Sequence, residues 1–241
     1  MPIAPQHDAM GAAIRDYFEN GVAKPIIVRS KMFDDDEMPV ETLFRTVQQM
    51  SEIERHALMI SKGNTLDVGA GAGCHSLELQ NRNIDTTAID ISPLSIETIR
   101  SRGVVKAECA DFFTWESPET FDTILMLMNG TGIVGTLNRL PDLFKRLDAL
   151  LAPDGQLLID SSDLRYVFED EDGFFDPSEF DHYYGEVDYR MQYCNIKGQP
   201  FNWLYVDFHT LQHYAEKAGY EATLLREGAH YDYLARIIRK V

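Results

Sequence analysis

Three glycines alternate in the run Gly69-Ala70-Gly71-Ala72-Gly73, and a carboxylate, Asp67, stands two residues before the first. Glycine lets a backbone turn sharply and approach a ligand closely, and a helix that follows such a turn offers free N–H groups. Residues 65–68 read as a short strand and residues 74–80 as a short helix. Strand, glycine turn and helix in that order hold nucleotide-type cofactors. The dinucleotide spacing G-x-G-x-x-G requires glycine at position 74 or 76. Cys74 and Ser76 stand there, so the spacing fails in both registers. An acid so close to the loop disfavours a pyrophosphate and favours a ligand with a positive group.

Two further carboxylates fall at strand ends. Asp90 closes a second strand, residues 86–90, about twenty residues beyond the loop, where a carboxylate can accept both hydroxyls of a ribose. Asp111 follows a third strand, residues 104–108. It can accept a hydrogen bond from an adenine amino group, with Phe112 available to pack on the ring. In an open parallel sheet the ligand lies across the carboxyl ends of neighbouring strands, so the three acids are expected to meet along one edge.

The elements that must position them follow from the pattern. Ser92 and Pro93 open a helix to Arg102, with Gly103 past its end. Residues 121–128 form a fourth strand, apolar enough to be buried on both faces. Leucines and a phenylalanine from Leu140 to Leu151 mark a helix that stops at Pro153-Asp154-Gly155, and residues 156–160 form a fifth strand. The later chain alternates over 185–196 and returns over 201–206, an antiparallel pair. A helix over 210–218 and strands over 221–226 and 233–239 close it. The first sixty residues read as helical, over 9–20 and again from Pro39 to about Ile60. The expected fold is α/β: a doubly wound, Rossmann-like, seven-stranded sheet whose last strand is antiparallel. N-terminal helices and a β-hairpin inserted after strand five complete it. The expected division is a helical cap over 1–62 and a main domain over 63–241, with 164–206 an inserted lid and hairpin.

From Thr65 to Asp160 the chain resembles the class I S-adenosylmethionine-dependent methyltransferases. The resemblance rests on the glycine loop with Asp67, on Asp90 and Asp111, and on the Leu-Leu-Ala-Pro-Asp-Gly-Gln-Leu-Leu-Ile run from Leu150 to Ile159. It implies that Gly69, Ala70, Gly71 and Gly73 cradle the methionine part of S-adenosylmethionine and that Asp67 helps hold its amino group. It implies further that Asp90 binds the ribose, Ile91 packs on adenine, and Asp111 and Phe112 meet the adenine end. Met128 and Asn129, ending strand four, would sit beside the sulfonium and the acceptor. Cys74-His75 after the loop departs from the pattern, and His75 is expected to face solvent or to cap locally.

The acceptor is less legible. Methyl transfer from a sulfonium is an in-line displacement that positioning and desolvation can drive without a proton-transfer group. His182 and Tyr183, and His230 in the turn between the last two strands, are the candidate catalytic residues. No metal is expected. Four consecutive acids at Glu169-Asp170-Glu171-Asp172 do not present alternating ligands. Metal-dependent catechol-type relatives carry an acid where Asn129 stands.

Composition narrows the partners. The 241 residues carry 22 Lys+Arg against 39 Asp+Glu, a formal charge of −17. Nucleic-acid binding would lack its main driving force. The asparagine-proline-aromatic signature of nucleic-acid amino-methylating enzymes is also absent, since Asn129-Gly130-Thr131-Gly132 follows strand four. Eleven acids and two bases lie between Asp160 and Arg190, so this stretch carries nine of the net negative charges. It begins at the carboxyl end of strand five, which points to a neutral or cationic acceptor. Three unspaced cysteines, no leader-like start and no long apolar run make a cytoplasmic protein without a membrane span the expectation. A small-molecule methyltransferase is the leading reading. A cofactor-binding regulator that transfers no methyl, and a protein methyltransferase, are the alternatives.

Overall fold

The computed structural model describes residues 1–240. Along the chain lie α1 (Ala9–Asn20), β1 (Ile26–Arg29), β2 (Asp36–Met38), α2 (Glu52–Ile60), β3 (Thr65–Val68), α3 (Cys74–Asn81), β4 (Thr86–Asp90), α4 (Pro93–Ser101), β5 (Lys106–Cys109) and β6 (Phe121–Met126). There follow α5 (Leu140–Leu150), β7 (Leu151–Ser162), α6 (Arg165–Phe168), β8 (Glu186–Tyr193), β9 (Ile196–Lys197), β10 (Phe201–Leu204), α7 (Phe208–Lys217), β11 (Tyr220–Glu227) and β12 (Asp232–Arg239). The strands form a seven-stranded sheet in the order β11-β12-β7-β6-β3-β4-β5 and a smaller sheet built around β10-β8-β1-β2.

The large sheet is the expected α/β fold. The pairs β3–β4, β3–β6, β4–β5 and β6–β7 are parallel, and β12 runs antiparallel between β7 and β11. Its central strands are buried on both faces, with Leu66, Ile124, Leu125 and Leu157 fully enclosed. One face packs on α5 and α7 through Leu143, Phe144, Leu147, Leu211 and Ala215. The other packs on α2 and α3 through Ile53, Ala57, Leu58 and Leu79. Gly-free turns would not serve everywhere: α1 ends on Gly21 at φ 70°, a left-handed position that costs other residues energy.

Helix α5 ends earlier than Pro153-Asp154-Gly155. Its last carbonyls are taken by Arg239, whose guanidinium bonds the oxygens of Leu147, Asp148, Leu151 and Ala152. Leu151 is thereby free to begin β7 and pairs with Phe121.

The N-terminal region corrects the helical reading. Only α1 and α2 are α-helices there. Residues 40–44 and 47–49 are short 3₁₀ turns, and β1 and β2 are strands. The inserted pair is likewise more than a hairpin. β8 pairs antiparallel with β10 on one side (Tyr189↔Phe201) and with β1 on the other (Ile27↔Gln192). β1 also pairs antiparallel with the short β2 (Ile27↔Glu37), but strands of four and three residues leave little local signal, and the pairing that joins them to the inserted strands comes from more than 160 residues away. The smaller sheet, α1 and the aromatic segment 164–184 form a cap over the carboxyl side of the large sheet. Among the described residues no helix is long and apolar enough to cross a membrane.

Candidate active site

The parallel register sets Val68 beside Ile89, so the glycine loop emerges next to the end of β4. Gly69, Gly71 and Gly73 have φ of 72°, 58° and 82°, all left-handed. The N–H groups of Gly69 and Ala70 donate to the Ile89 oxygen. The N–H of Gly71 donates to Asp90 Oδ2 at 2.9 Å, and that of Ser92 to Asp90 Oδ1 at 2.8 Å. Each carboxylate oxygen keeps a lone pair for a hydroxyl. Burial pushes the Asp90 carboxyl up to about 6, against these two N–H groups that favour the charged form. A Cβ on Gly71 would meet nothing closer than 4.0 Å, so the loop opens outward there.

Asp67 turns inward instead. It is buried and accepts a 2.5 Å bond from Ser76 Oγ, which ties the loop to the first turn of α3. Asp111 lies beyond β5. Its Oδ1 accepts from the Phe113 N–H at 3.0 Å and its Oδ2 pairs with the Met1 ammonium at 2.7 Å. Burial opposes ionisation of this carboxyl, but those two donors outweigh it and hold it below the usual range. Ile91 is 42% exposed, and its oxygen accepts from the Ile3 N–H. Phe112 is buried in the main core with Arg146 over its ring, and Phe113, under Arg139, is the half-buried aromatic of the pair.

At the end of β6 two consecutive non-glycine residues are left-handed, Met128 at φ 67° and Asn129 at φ 56°. Such strain persists only where the surroundings over-determine it. The buried Asp160, at the end of β7, does so: Oδ2 accepts from the Met128 N–H at 3.1 Å and Oδ1 from the Gly130 N–H at 2.9 Å. Ser162 Oγ donates to Asn129 Oδ1 at 2.9 Å. The following turn is pressed against the cap, since a Cβ on Gly132 would fall 1.8 Å from Trp203. Ile133 in turn reaches the glycine loop, 3.0 Å from where a Gly69 Cβ would lie. Asp160 escapes a reading by motif, yet it repeats the signal of Asp90, an acid at a buried strand's carboxyl end.

His75 does not face solvent. It is buried, and its Nε2 lies 2.8 Å from Glu54 Oε1, the oxygen that also pairs with Arg45. Burial alone would raise the Glu54 carboxyl, but hydrogen bonds from His75 and Arg45 overcome it and hold Glu54 at about 2. Glu54 is placed there by a capping box in which Ser51 and Glu54 bond each other's backbone N–H groups. Only the fold brings the loop at 45, helix α2 and the start of α3 together.

A cleft of ≈ 1170 Å³ opens where segment 164–184, the start of α7 and the β11–β12 turn meet. Tyr183, Tyr184, Tyr231 and Phe208 line it, with the carboxylates of Asp163, Asp207, Glu227 and Asp232. His182 is on this lining, exposed, with Nδ1 3.1 Å from the Tyr183 oxygen. Tyr183 donates to Asp207 Oδ2 at 2.6 Å, and burial followed by that bond raises its phenol, which therefore keeps its proton. His230 is exposed, and its neighbours Ala229 and Tyr231 line the cleft while its own ring does not. Tyr231 stacks on Tyr166 with ring centres 4.5 Å apart and planes 8° off parallel, joining the cap to the β11–β12 turn.

The edge residues fit S-adenosylmethionine. Asp90 keeps two free lone pairs, Gly71 faces open space, and Ile91 and Met128 (39% exposed) offer apolar surface on either side. Comparison with known proteins gives the family. A family described as a methyltransferase domain matches residues 36–225. A methyltransferase from Bacteroides fragilis, solved with S-adenosyl-L-homocysteine, is 51% identical over 99% of this chain and 98% of its own, with a TM-score of 0.93. The CcbJ methyltransferase from Streptomyces caelestis (10% identity, 98% of this chain and 99% of its own, TM-score 0.62) shares the fold. So does the sugar N-methyltransferase KedS8 from Streptoalloteichus (16% identity, 83% and 88%, TM-score 0.54). No curated protein matches the chain.

Proposed function

The chain belongs to the S-adenosylmethionine-dependent methyltransferases, and on that premise we propose that its acceptor is a small molecule, neutral or cationic, received under the cap. When bound, S-adenosylmethionine supplies a methyl group on a positively charged sulfur. The chain's residues divide the remaining work. Gly69, Ala70, Gly71 and Gly73 would take the methionine part, with Asp67 holding the loop to α3 through Ser76. Asp90 would accept the ribose hydroxyls, Ile91 would cover the adenine, and Asp111 would accept at its amino group. Met128 and Asn129 would border the sulfur.

One observation carries the acceptor class. The cleft beside the ends of β7 and β12 combines aromatic walls with four carboxylates and one arginine, Arg165. Such a lining attracts cations through both ring faces and charge and repels phosphate. The fold is shared with an enzyme named as a sugar N-methyltransferase, which supports a small acceptor. His182 lies on this lining and is the better placed of the two histidines to take a proton from it. Tyr183 serves the wall by fixing Asp207 at the start of α7.

The test is turnover of S-adenosylmethionine against a panel of amines, amino sugars, phenols and their phosphorylated analogues. Neutral or cationic acceptors are expected to react and phosphorylated ones to be inert. Turnover confined to phosphorylated acceptors or to protein substrates would refute the acceptor class without touching the cofactor assignment.

A further inference from the structure

We propose that Asp160 is a positioning residue of the transfer site, whose carboxylate holds the Met128–Gly130 turn in the conformation that borders the sulfur end of the cofactor. The turn has no conformational reason of its own to be left-handed at two side-chain-bearing residues. It is held from β7. Asp160 takes the N–H groups of Met128 and Gly130, and Ser162, two residues on, takes the Asn129 side chain. Because the Ser162 hydroxyl donates to Asn129 Oδ1, the Asn129 amide N–H₂ is left to donate elsewhere. Gly130 leaves no room for adjustment, since a Cβ there would fall 2.7 Å from Met126 Cβ and 3.7 Å from Asp160 Oδ1. Continuing the same turn, Ile133 abuts Gly69. A shift at Asp160 therefore reaches the glycine loop through one run of six residues.

Asp160 is a carboxylate under load. Burial pushes it up to about 6, and the Glu54 charge on α2 works in the same direction, while the N–H groups of Gly130, Asn129 and Met128 favour the ionised form. Arg45, bound to Glu54, and the Tyr233 phenol on β12 are the other ionisable groups that feel it. Protonation replaces one strong acceptor by a donor, so the turn is expected to loosen as the pH falls through about 6.

The inference rests on the cofactor placement proposed above. The experiment uses amide proton shifts on the full chain and calorimetric titration with S-adenosylhomocysteine. The Met128 and Gly130 amides are expected to titrate together near pH 6. In Asp160→Asn that step disappears, while the Gly71 and Ser92 amides, which report Asp90, still titrate. S-adenosylhomocysteine affinity at neutral pH falls roughly tenfold in Asp160→Asn and less in Ser162→Ala. An unchanged titration of the Met128 and Gly130 amides in Asp160→Asn overturns the proposal. So does wild-type affinity in that variant when Asp90→Ala binds weakly. Should Asp90→Ala bind as the wild type does, the cofactor placement itself fails. If Asp160→Asn does not fold, the wild-type chain decides: flat Met128 and Gly130 amides between about pH 5 and pH 7 refute the assignment.

Discussion

The proposed donor edge and the proposed acceptor cap are built in opposite ways. At the proposed donor edge, the working residues lie at strand ends, and Asp67 and Asp90 are steadied by the glycine loop and the helix starts beside them, within about twenty residues of chain. Asp90 is fixed by Gly71 and Ser92, and Asp67 by Ser76. In the cap, partners come from distant segments: Ile27 pairs with Gln192, and Tyr166 stacks on Tyr231. A site made of local motifs can keep one ligand while a cap of long-range pairings changes around it. The difference suggests one cofactor held by rule and an acceptor chosen by the particular cap.

Four measurements test this contrast. The largest effect is expected beneath the donor edge. Glu54→Ala leaves Arg45 and His75 buried without their partner and should cost about 3–5 kcal/mol of stability. Denaturant unfolding reads this, and a loss under about 1 kcal/mol would mean that the cluster is not a foundation of the site. Next, Asp90→Ala should weaken S-adenosylhomocysteine by about 1.5–3 kcal/mol while the fold persists, since a charged acceptor of two hydroxyls is removed. Calorimetry with an unchanged Kd would remove Asp90 from the site.

The third concerns pH. Ribose hydroxyls donate to ionised Asp90, so its bound form releases a proton where the free enzyme holds one. Affinity should fall as pH drops through about 6, and the binding heat near that pH should depend on the buffer's own ionisation heat. For stability the sign reverses. Asp90 and Asp160 both lie above their ordinary 3.8, so the free protein binds more protons than the unfolded chain between about 4 and 6. These two groups therefore add stability as pH falls through that window. Glu54, held at about 2, keeps its contribution until the pH falls below its ordinary 4.5.

The smallest effect tests the cap. Tyr166→Ala removes a stacked pair worth about 0.5–1.5 kcal/mol and should change acceptor KM while leaving S-adenosylhomocysteine affinity alone. A matching loss of cofactor affinity would show that the two halves are coupled rather than separate.

Much of the donor edge was legible before any fold was known. Glycines at left-handed positions and acids at strand ends are local demands of backbone geometry, so spacing alone reveals them. His75 shows where that ends. Its sequence neighbours suggest a surface residue, but the loop at Arg45 and the helix carrying Glu54 fold over it and bury it. Phe112 is similar: it follows Asp111 as an adenine-packing residue would, yet the main core claims its ring and leaves Phe113 half-buried.

The parallel sheet, its antiparallel last strand, the glycine loop and the carboxylates at the ends of the second and third strands follow from the amino-acid order, because each is encoded by residues close together in the chain. Long-range packing settled the joining of β1 and β2 to the inserted antiparallel pair, the buried Arg45–Glu54–His75 cluster and the hold of Asp160 on the Met128–Gly130 turn. In each of these, one partner has no local preference for its conformation, and a distant segment supplies the bond that selects it.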